Sequence, residues 1–209
     1  TCGVMIELIQ GEGGVRPLEK AFVQELAAFC QERDVLLLAD EVQTGVGRTG
    51  KLYCYEHYDI QPDVITSAKG LGGGLPIGAC LCTERLGKVM DAGMHGSTFG
   101  GNPVVCAGAL AVLRKITAPG FLEQVAEKGA YLREKLTAME GIAEVRGIGM
   151  MLGATLKADN AKEVAAACVG NGLLVLTAQN LLRFLPPLTI SREELDKGLA
   201  ILQETISKL

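Results

Sequence analysis

The stretch "DVITSAKGLGGGLPIGACLC", residues 63 to 82, places a single lysine, Lys69, in a run that is mostly small or apolar. An ammonium group that is removed from water without a partner is costly, and it responds by losing its proton. A neutral amine is a nucleophile, so this pattern makes Lys69 a candidate nucleophile. The apolar runs "DVITSA" and "IGACLCT" on either side predict two strands, and the short glycine loop between them favours an antiparallel pair.

Two further strands are predicted upstream, because "VMIEL" and "VLLLAD" are short apolar runs that close with acidic residues. Between them, four apolar residues recur at helical spacing: Leu18, Phe22, Leu26 and Phe29. Strand, helix and strand in this order predict a βαβ unit in an α/β fold. The strands do not alternate between apolar and polar residues, so we expect a mostly parallel sheet that is covered on both faces.

From Asn102 the pattern changes to helices, with Asn102 as the predicted cap of "NPVVCAGALAVLRKI". The next helix carries an apolar stripe of Leu122, Val125, Gly129, Leu132, Leu136 and Met139. Strands are predicted in "AEVRGIGMMLGATLK", "LLVLTA" and "LLRFLPPL". Ser191 and Glu194 form a capping box for a last helix, whose apolar face is Leu195, Leu199, Leu202 and Ile206. We place a domain boundary between residues 116 and 117, followed by a small α+β domain over residues 117 to 209.

The composition narrows the function classes. The net charge is −4, and the 20 basic and 24 acidic residues are interspersed, so we expect no nucleic-acid partner. No apolar run approaches the roughly 18 residues that cross a bilayer, and the first residues lack the features of a signal peptide. We therefore expect a cytoplasmic protein without a membrane partner. The seven cysteines form no CxxC pair, so we expect reduced, buried thiols and no metal site.

Asp40 and Glu41 end the most apolar strand in the chain. Ligands of open α/β sheets bind beyond the carboxyl ends of the strands, so a carboxylate there is placed to face one. The alternative is a strand-end aspartate that only caps a turn. Lys69 is predicted at the same edge of the next strand, and a lysine and a carboxylate at one sheet edge indicate a cofactor bound between them.

Two glycine-rich loops have competing interpretations. "GVGRTG", residues 45 to 50, matches the dinucleotide fingerprint, but "DEVQT" separates it from the strand and no long amphipathic helix comes after it. "MHGSTFGGNP" offers the hydroxyl groups of Ser97 and Thr98, and several backbone amides, to an oxyanion. An ordinary glycine-rich turn remains the alternative for this second loop.

Arg183 in "NLLRFLPPL" is a solitary cation in an apolar strand. A guanidinium group cannot lose its proton, so it needs a carboxylate. That carboxylate comes either from the protein, with Glu12 as one candidate, or from a substrate. The alternative is a strand arginine that faces solvent.

Four segments in this order, "VMIELIQGEGGV", "LLLADEVQTGVGRTG", "ITSAKGLGGGLPIGA" and "HGSTFGGNP", resemble the class III pyridoxal-phosphate aminotransferases of fold type I. Within that family, "GVGRTGKL", "HGST" and "GLLVLTAQNLLRFLPPLTI" resemble the acetylornithine branch most closely. The resemblance runs along essentially the whole chain. It implies a C-terminal half: residues 1 to 116 as the remaining part of a mostly parallel, three-layer, cofactor-binding large domain, and residues 117 to 209 as the small C-terminal domain.

The resemblance also implies roles for five residues at one cofactor site. Lys69 would form a Schiff base with pyridoxal 5'-phosphate and carry a proton to and from the substrate. Asp40 would pair with the pyridinium nitrogen, and Glu41 belongs to the same cofactor-binding set. Val42 would pack on one face of the ring, and Gln43 would hydrogen-bond to the ring hydroxyl oxygen.

The same resemblance implies that Thr98 binds the phosphate in the neighbouring subunit of a homodimer, with Ser97 close to the substrate. Arg183 would bind the substrate α-carboxylate, and Glu12 would pair with Arg183 in alternation with the second substrate. The substrates implied are an amino acid, N2-acetyl-L-ornithine, and a 2-oxo acid, 2-oxoglutarate, in arginine biosynthesis. Ornithine, succinylornithine and 4-aminobutyrate aminotransferases are the alternatives, and a non-catalytic fragment that binds no cofactor is the alternative of another class.

Overall fold

A computed structural model describes all residues from 1 to 209. The strands are β1 (Gly3–Ile6), β2 (Ile9–Gln10), β3 (Arg16–Pro17), β4 (Leu36–Asp40), β5 (Val64–Ser67), β6 (Ala79–Cys82), β7 (Ile142–Ile148), β8 (Met151–Leu156), β9 (Leu176–Ala178) and β10 (Leu181–Phe184). The α-helices are α1 (Lys20–Glu32), α2 (Pro103–Ile116), α3 (Phe121–Thr137), α4 (Ala161–Gly170) and α5 (Arg192–Ile206).

The chain divides into two compact units that are not continuous in sequence. The first unit comprises Thr1–Leu8, Leu18–Gly47 and Lys51–Leu122, and the second comprises Ile9–Pro17, Arg48–Gly50 and Glu123–Leu209. The predicted domain boundary at residues 116 and 117 falls before the end of the first unit at Leu122. The two short inserts have no counterpart in the predicted division, because they are turns and two-residue strands without a periodic pattern.

The first unit contains a four-stranded sheet in the order β1-β4-β5-β6. β1 pairs with β4, and β4 with β5, in parallel, whereas β5 pairs with β6 in antiparallel orientation. Both orientations confirm the sequence predictions. Helix α1 connects β1 and β4, so the predicted βαβ unit is confirmed as well. The register places Asp40 beside Thr66, near the carboxyl ends of two parallel neighbours.

Helix α1 buries a different face from the predicted one. Val23 and Cys30 are its buried residues, whereas Phe22 and Phe29 are each 52% exposed. The helix begins at Lys20, so Leu18 lies before it. Apolar residues occupy more than one face of this helix, so spacing along the sequence does not identify the buried face. The prediction was based on the face with the larger side chains.

Helix α2 fixes the turn that carries Lys69. Asn102 caps this helix as predicted, since its Oδ1 accepts hydrogen bonds from the amides of Val104 (3.0 Å) and Val105 (3.4 Å). Leu71, from the 3-10 turn Lys69–Gly72, packs in one cluster with Val46, Ala109 and Ile116. A Cβ at Gly108 of this helix would lie 2.7 Å from Leu75 Cδ1. The glycine brings helix and turn into close contact.

The second unit is built on an antiparallel sheet in the order β7-β8-β10-β9. Helices α3, α4 and α5 supply much of its core, which includes Leu132, Leu136, Val164, Cys168, Leu195 and Leu202. The predicted stripes of α3 and α5 are confirmed, and so is the Ser191–Glu194 capping box. Helix α4 has no counterpart among the predicted elements, because its buried residues are few and mostly small.

The seven cysteines differ in burial, and their burial depends on where each one lies in the fold. No disulfide joins any of the seven cysteines, and Cys30, Cys54 and Cys168 are buried. The prediction that the thiols are buried is wrong for Cys2, Cys80 and Cys82, which are exposed. Cys80 and Cys82 lie on β6, an edge strand whose residues are all exposed. No group of three or more His, Cys, Asp or Glu side chains is arranged to hold a metal ion.

No single helix has the length and apolar composition needed to cross a membrane, and only α2 and α3 taken as a pair would meet that test.

Candidate functional site

Asp40 lies at the carboxyl end of β4 with its carboxylate held on one side. Its Oδ1 accepts hydrogen bonds from the Thr66 hydroxyl (3.1 Å) and from the Val42 amide (3.0 Å). Both bonds go to the same oxygen, so Oδ2 keeps its acceptor capacity for another donor. The arrangement orients a half-buried carboxylate and leaves one of its oxygens open to a ligand.

Lys69 lies at the same edge of the sheet as Asp40. β5 ends at Ser67, two residues before Lys69, and runs parallel to β4. The Lys69 backbone is left-handed, with φ of 45°, a conformation that non-glycine residues adopt at a cost. Its ammonium group makes no hydrogen bond or ion pair within the chain.

The expectation that Lys69 is buried is wrong, because the residue is exposed. The next residue along the chain, Gly70, has no side chain to cover it, and the apolar side chain of its turn, Leu71, packs away in the cluster with α2. The site therefore presents an unpaired amine and an oriented carboxylate at one edge of the sheet.

Glu41 comes directly after Asp40 but has a different environment. It is 0% exposed, its Oε1 accepts a hydrogen bond from the Tyr55 amide (2.8 Å), and its Oε2 accepts one from the Thr44 hydroxyl. Burial raises the pKa of the Glu41 carboxyl, and hydrogen bonds from Thr44, Cys54 and Tyr55 oppose that increase. Both Glu41 oxygens are hydrogen-bonded inside the first unit, and the expected direct contact of Glu41 with the cofactor stays a prediction that these bonds do not favour.

Val42 and Gln43 are half-buried. They come after Asp40 and Glu41 at the end of β4, where the resemblance expects residues next to a cofactor ring. The turn is closed by the Gly45 amide, which donates to the Glu41 carbonyl oxygen (2.9 Å). A Cβ at Gly45 would lie 2.8 Å from that same oxygen, so only glycine fits there.

The dinucleotide interpretation of "GVGRTG" is contradicted by the backbone. The segment forms consecutive turns, and it leads into the short 3-10 turn Cys54–His57 rather than into an α-helix. A dinucleotide fingerprint needs a helix whose N-terminus receives the pyrophosphate. Gly45 instead closes the turn that comes after Asp40.

Ser97 and Thr98 lie in an exposed loop between β6 and α2. The Ser97 hydroxyl accepts a hydrogen bond from the Gly100 amide (3.0 Å), which makes a local turn. No hydrogen bond joins this loop to Asp40 or Lys69. The structure therefore does not bring Ser97 and Thr98 into the cluster at the sheet edge, and their predicted roles stay predictions.

Arg183 and Glu12 form an ion pair in the second unit. The Arg183 side chain is 10% exposed, and its Nη1 lies 2.6 Å from Glu12 Oε1. The Arg183 Nε is buried and has no hydrogen-bond partner. An unsatisfied buried donor is costly, so this guanidinium is suited to a further acceptor such as a carboxylate. The predicted internal partner is thus found, and a donor remains for a ligand.

Sequence reasoning missed two residues, Thr66 in the first unit and Arg48 in the second. Thr66 orients Asp40, and its signal was its position in "ITSAK", three residues before Lys69 on the neighbouring strand. Arg48 of the second unit donates to the carbonyl oxygens of Pro186 (2.5 Å) and Met150 (3.2 Å), and burial lowers its pKa to about 10. Nothing in the local pattern of "GVGRTG" indicated where that guanidinium would lie.

The family model described as "Aminotransferase class-III" matches residues 1–206 of the chain. The chain belongs to the class III aminotransferases. The acetylornithine aminotransferases of Streptococcus mutans and of Caldanaerobacter subterraneus subsp. tengcongensis are 49% and 46% identical to it, each over 100% of this chain. The alignments cover 56% and 54% of those proteins.

Solved structures agree with this family membership. The N-acetylornithine aminotransferase of Stenotrophomonas maltophilia superposes with a TM-score of 0.90 at 38% identity, over 99% of this chain and 56% of that one. The ornithine δ-aminotransferase of Plasmodium falciparum superposes with a TM-score of 0.89 at 36% identity, over 99% and 56%. The chain therefore spans about half the length of the class III relatives that it matches.

Proposed function

We propose that this chain supplies the reactive lysine and the cofactor-orienting aspartate of a pyridoxal-phosphate aminotransferase that acts on N2-acetyl-L-ornithine and 2-oxoglutarate. The observation that carries the proposal is that Asp40 ends β4 while Lys69 comes two residues after the end of β5, the adjacent parallel strand. Asp40 presents one oriented carboxylate with an open oxygen, and Lys69 presents an amine without a partner in the chain. Family membership gives this pair its chemical context.

The residues at the sheet edge fit pyridoxal phosphate. When bound, this cofactor would supply an electron sink for the electrons released at the substrate carbon that bears the reacting amino group. Asp40, which Thr66 and Val42 hold in place, would accept a hydrogen bond from the protonated ring nitrogen, and its negative charge would favour that protonated form. Lys69 moves the proton at the substrate carbon that bears the reacting amino group, which is C5 of N2-acetyl-L-ornithine, as a general base and acid. Val42 and Gln43 contact the ring beside Asp40.

Arg183 binds the α-carboxylate of 2-oxoglutarate. Its planar guanidinium offers donors in a fork that matches a carboxylate, and the buried Nε still lacks an acceptor. Glu12 is 73% exposed, so it can leave Arg183 at a modest cost in desolvation. We propose that Glu12 pairs with Arg183 for the monocarboxylate substrate and releases it for 2-oxoglutarate, which carries a second carboxylate.

The assignment to acetylornithine rests on relatives of that name at 44% to 49% identity. Ornithine, succinylornithine and 4-aminobutyrate are the competing amino donors. A chimera that joins the first part of the Streptococcus mutans relative to this chain would provide a complete polypeptide. We expect kcat/KM for acetylornithine to exceed that for each other donor, and equal values would reject the narrow assignment.

The complete enzyme is proposed to be a cytoplasmic homodimer in arginine biosynthesis. Thr98 lies in an exposed loop, which is accessible to a neighbouring subunit whose phosphate site it would complete. Sedimentation of the chimera tests this assembly. A dimer that keeps its mass on dilution, but whose Thr98→Ala variant binds pyridoxal phosphate more weakly, supports it, whereas a fully active monomer would reject it.

A non-catalytic fragment is the second candidate function, and the exposure of Lys69 together with the half-length match favours it for the chain by itself. Titration with pyridoxal phosphate distinguishes the two. We expect weak or no binding by the 209-residue chain and tight binding by the chimera, with the absorbance of the bound cofactor lost in Lys69→Ala. Chain and chimera that both fail to bind would leave only the fragment.

A further inference from the structure

Glu41 is a buried acid to which the proposed chemistry gives no direct task. It is 0% exposed although it comes directly after Asp40 at the edge of the sheet. A carboxylate that is removed from water is costly unless hydrogen bonds satisfy it. The burial of Glu41 at a strand end is therefore explained by the segments that its hydrogen bonds connect.

The Glu41 side chain joins two segments of the first unit. Its Oε2 accepts from Thr44, three residues ahead in the turn after β4, and its Oε1 accepts from the Tyr55 amide at 2.8 Å. The Glu41 backbone adds two bonds, since its amide donates to the Thr66 carbonyl (3.0 Å) and its carbonyl accepts from the Gly45 amide (2.9 Å). One residue thus connects strand β5, the turn 42–45 and the segment 53–57.

This network encloses the group that orients Asp40. The Val42 amide, which donates to Asp40 Oδ1 at 3.0 Å, lies between Glu41 and Thr44. If the turn loosens, that amide moves and Asp40 keeps only its bond to Thr66. The direction of the open Asp40 oxygen therefore depends on a turn that Glu41 closes.

We propose that Glu41 is a positioning residue, which fixes the turn 40–45 so that Asp40 presents its open oxygen to the ring nitrogen of the cofactor. This inference rests on the proposed function. Residues that orient a ligand-binding group from behind are commonly worth about 10-fold to 100-fold in affinity or activity where they have been measured.

Glu56 provides a matched control in the same segment. Its Oε1 accepts from the Tyr53 amide at 2.8 Å, so it also stabilises the turn at residues 53 to 57, but it is exposed and does not contact the turn 42–45. Glu41→Ala and Glu56→Ala therefore each remove a carboxylate that accepts a hydrogen bond from the segment 53–57. Only Glu41→Ala disconnects Asp40.

Glu41→Gln tests whether the contacts with Thr44 and Tyr55 require a carboxylate or only hydrogen bonds. One amide oxygen can still accept from Tyr55, and the amide nitrogen can donate to the Thr44 hydroxyl, so Glu41→Gln retains most of the geometry. Thr44→Val removes a single bond to Glu41 and keeps the buried acid paired with Tyr55. It serves as the second variant if Glu41→Ala does not fold.

The experiment has two measurements on the same variants. In the 209-residue chain, amide hydrogen exchange reports the turn without any cofactor, and we expect Val42 and Gly45 to exchange at least about tenfold faster in Glu41→Ala. In the chimera, pyridoxal-phosphate titration reports the consequence, and we expect a Kd at least about tenfold higher. Glu41→Gln should restore most of the affinity, Thr44→Val should show a smaller loss, and Glu56→Ala should leave the Kd unchanged.

The outcomes separate the inference from the function. If the unsubstituted chimera binds no pyridoxal phosphate, the proposed function fails, and the role of Glu41 fails with it. If it binds tightly but Glu41→Ala binds equally well, only the inference is overturned. Equal losses in Glu41→Ala and Glu56→Ala, in proportion to their melting temperatures, would assign Glu41 to stability alone.

Discussion

At the scale of single residues, Asp40 and Arg183 have one feature in common. Each is held by partners within its own unit, and each keeps one polar atom without a partner: Oδ2 of Asp40 and Nε of Arg183. Because buried polar groups are nearly always paired in folded proteins, the Arg183 Nε indicates where a ligand binds, and the open Asp40 oxygen can accept from a donor that reaches the sheet edge. The two atoms indicate an N–H donor at Asp40 and a carboxylate at Arg183.

Thr66 offers the most direct residue-scale prediction. Thr66→Val keeps the shape of the side chain and removes the hydroxyl that donates to Asp40 Oδ1. A hydrogen bond to a charged group is worth about 1.5 to 3 kcal/mol, so we expect the chimera to bind pyridoxal phosphate at least about tenfold more weakly. The control is Thr117→Val, whose hydroxyl donates to the Leu113 carbonyl at the end of α2. An unchanged Kd in Thr66→Val would show that Thr66 does not orient Asp40.

The sequence predicts the positions of these residues in the sheet better than it predicts their burial and their hydrogen-bond partners. The positions of Asp40 and Lys69 at one edge follow from strand order, because parallel neighbours end on the same side of a sheet. The exposure of Lys69 and the burial of Glu41 depend on which neighbouring side chains pack where, and spacing along the chain does not contain that information. The bond from Thr66 is a cross-strand register effect, which becomes visible only once the strands are aligned.

At the scale of elements, two helical glycines test how tightly α3 packs. A Cβ at Gly129 would lie 2.5 Å from the backbone of Gly149, whereas a Cβ at Gly170 near the end of α4 would meet nothing within 4 Å. Alanine is intrinsically better than glycine in a helix by about 1 kcal/mol, and overpacking costs about 1 to 3 kcal/mol. We expect Gly129→Ala to lower the free energy of unfolding by about 2 kcal/mol and Gly170→Ala to leave it equal or higher. Equal effects in urea denaturation would contradict the close contact.

The capping box of α5 predicts a pH dependence. Hydrogen bonds from the Ser191 amide and hydroxyl lower the pKa of the Glu194 carboxyl. A lowered pKa means that the cap stabilises the fold above the ordinary carboxyl pKa, and that this contribution is lost as pH falls through the folded-state value. The difference in melting temperature between the native chain and Glu194→Gln should therefore be largest at neutral pH. It should decrease as the pH falls towards about 3. Glu193→Gln in the same helical turn is the control, and a gap that widens in acid would contradict the cap.

Elements with a strong single-face pattern are the ones that the sequence predicts best. The stripes of α3 and α5 and the caps at Asn102 and Ser191 are confirmed, because burial and capping both follow from local spacing. Helix α1 has apolar residues on more than one face, and the prediction placed the exposed pair Phe22 and Phe29 on the buried one. Helix α4 is not predicted, because its buried residues are mostly small and give only a weak helical periodicity of hydrophobicity.

At the scale of the whole molecule, β6 is the most exposed edge. All four of its residues are exposed and apolar, and Leu81 is 43% exposed. An unpaired apolar edge strand is a template for pairing with other chains. We expect Leu81→Lys to slow the association of the 209-residue chain, as followed by light scattering, more than Phe22→Lys on α1 does. A larger effect of Phe22→Lys would assign association to the helix surface instead.

The central claim is that Asp40 and Lys69 hold one cofactor ring between them, and covalent labelling tests it most directly. The chimera is incubated with pyridoxal phosphate, reduced with borohydride, digested and analysed by mass spectrometry. We predict a single phosphopyridoxyl group on the peptide that contains Lys69, and no label there in Lys69→Ala. A label on other lysines with Lys69 unmodified would contradict the account.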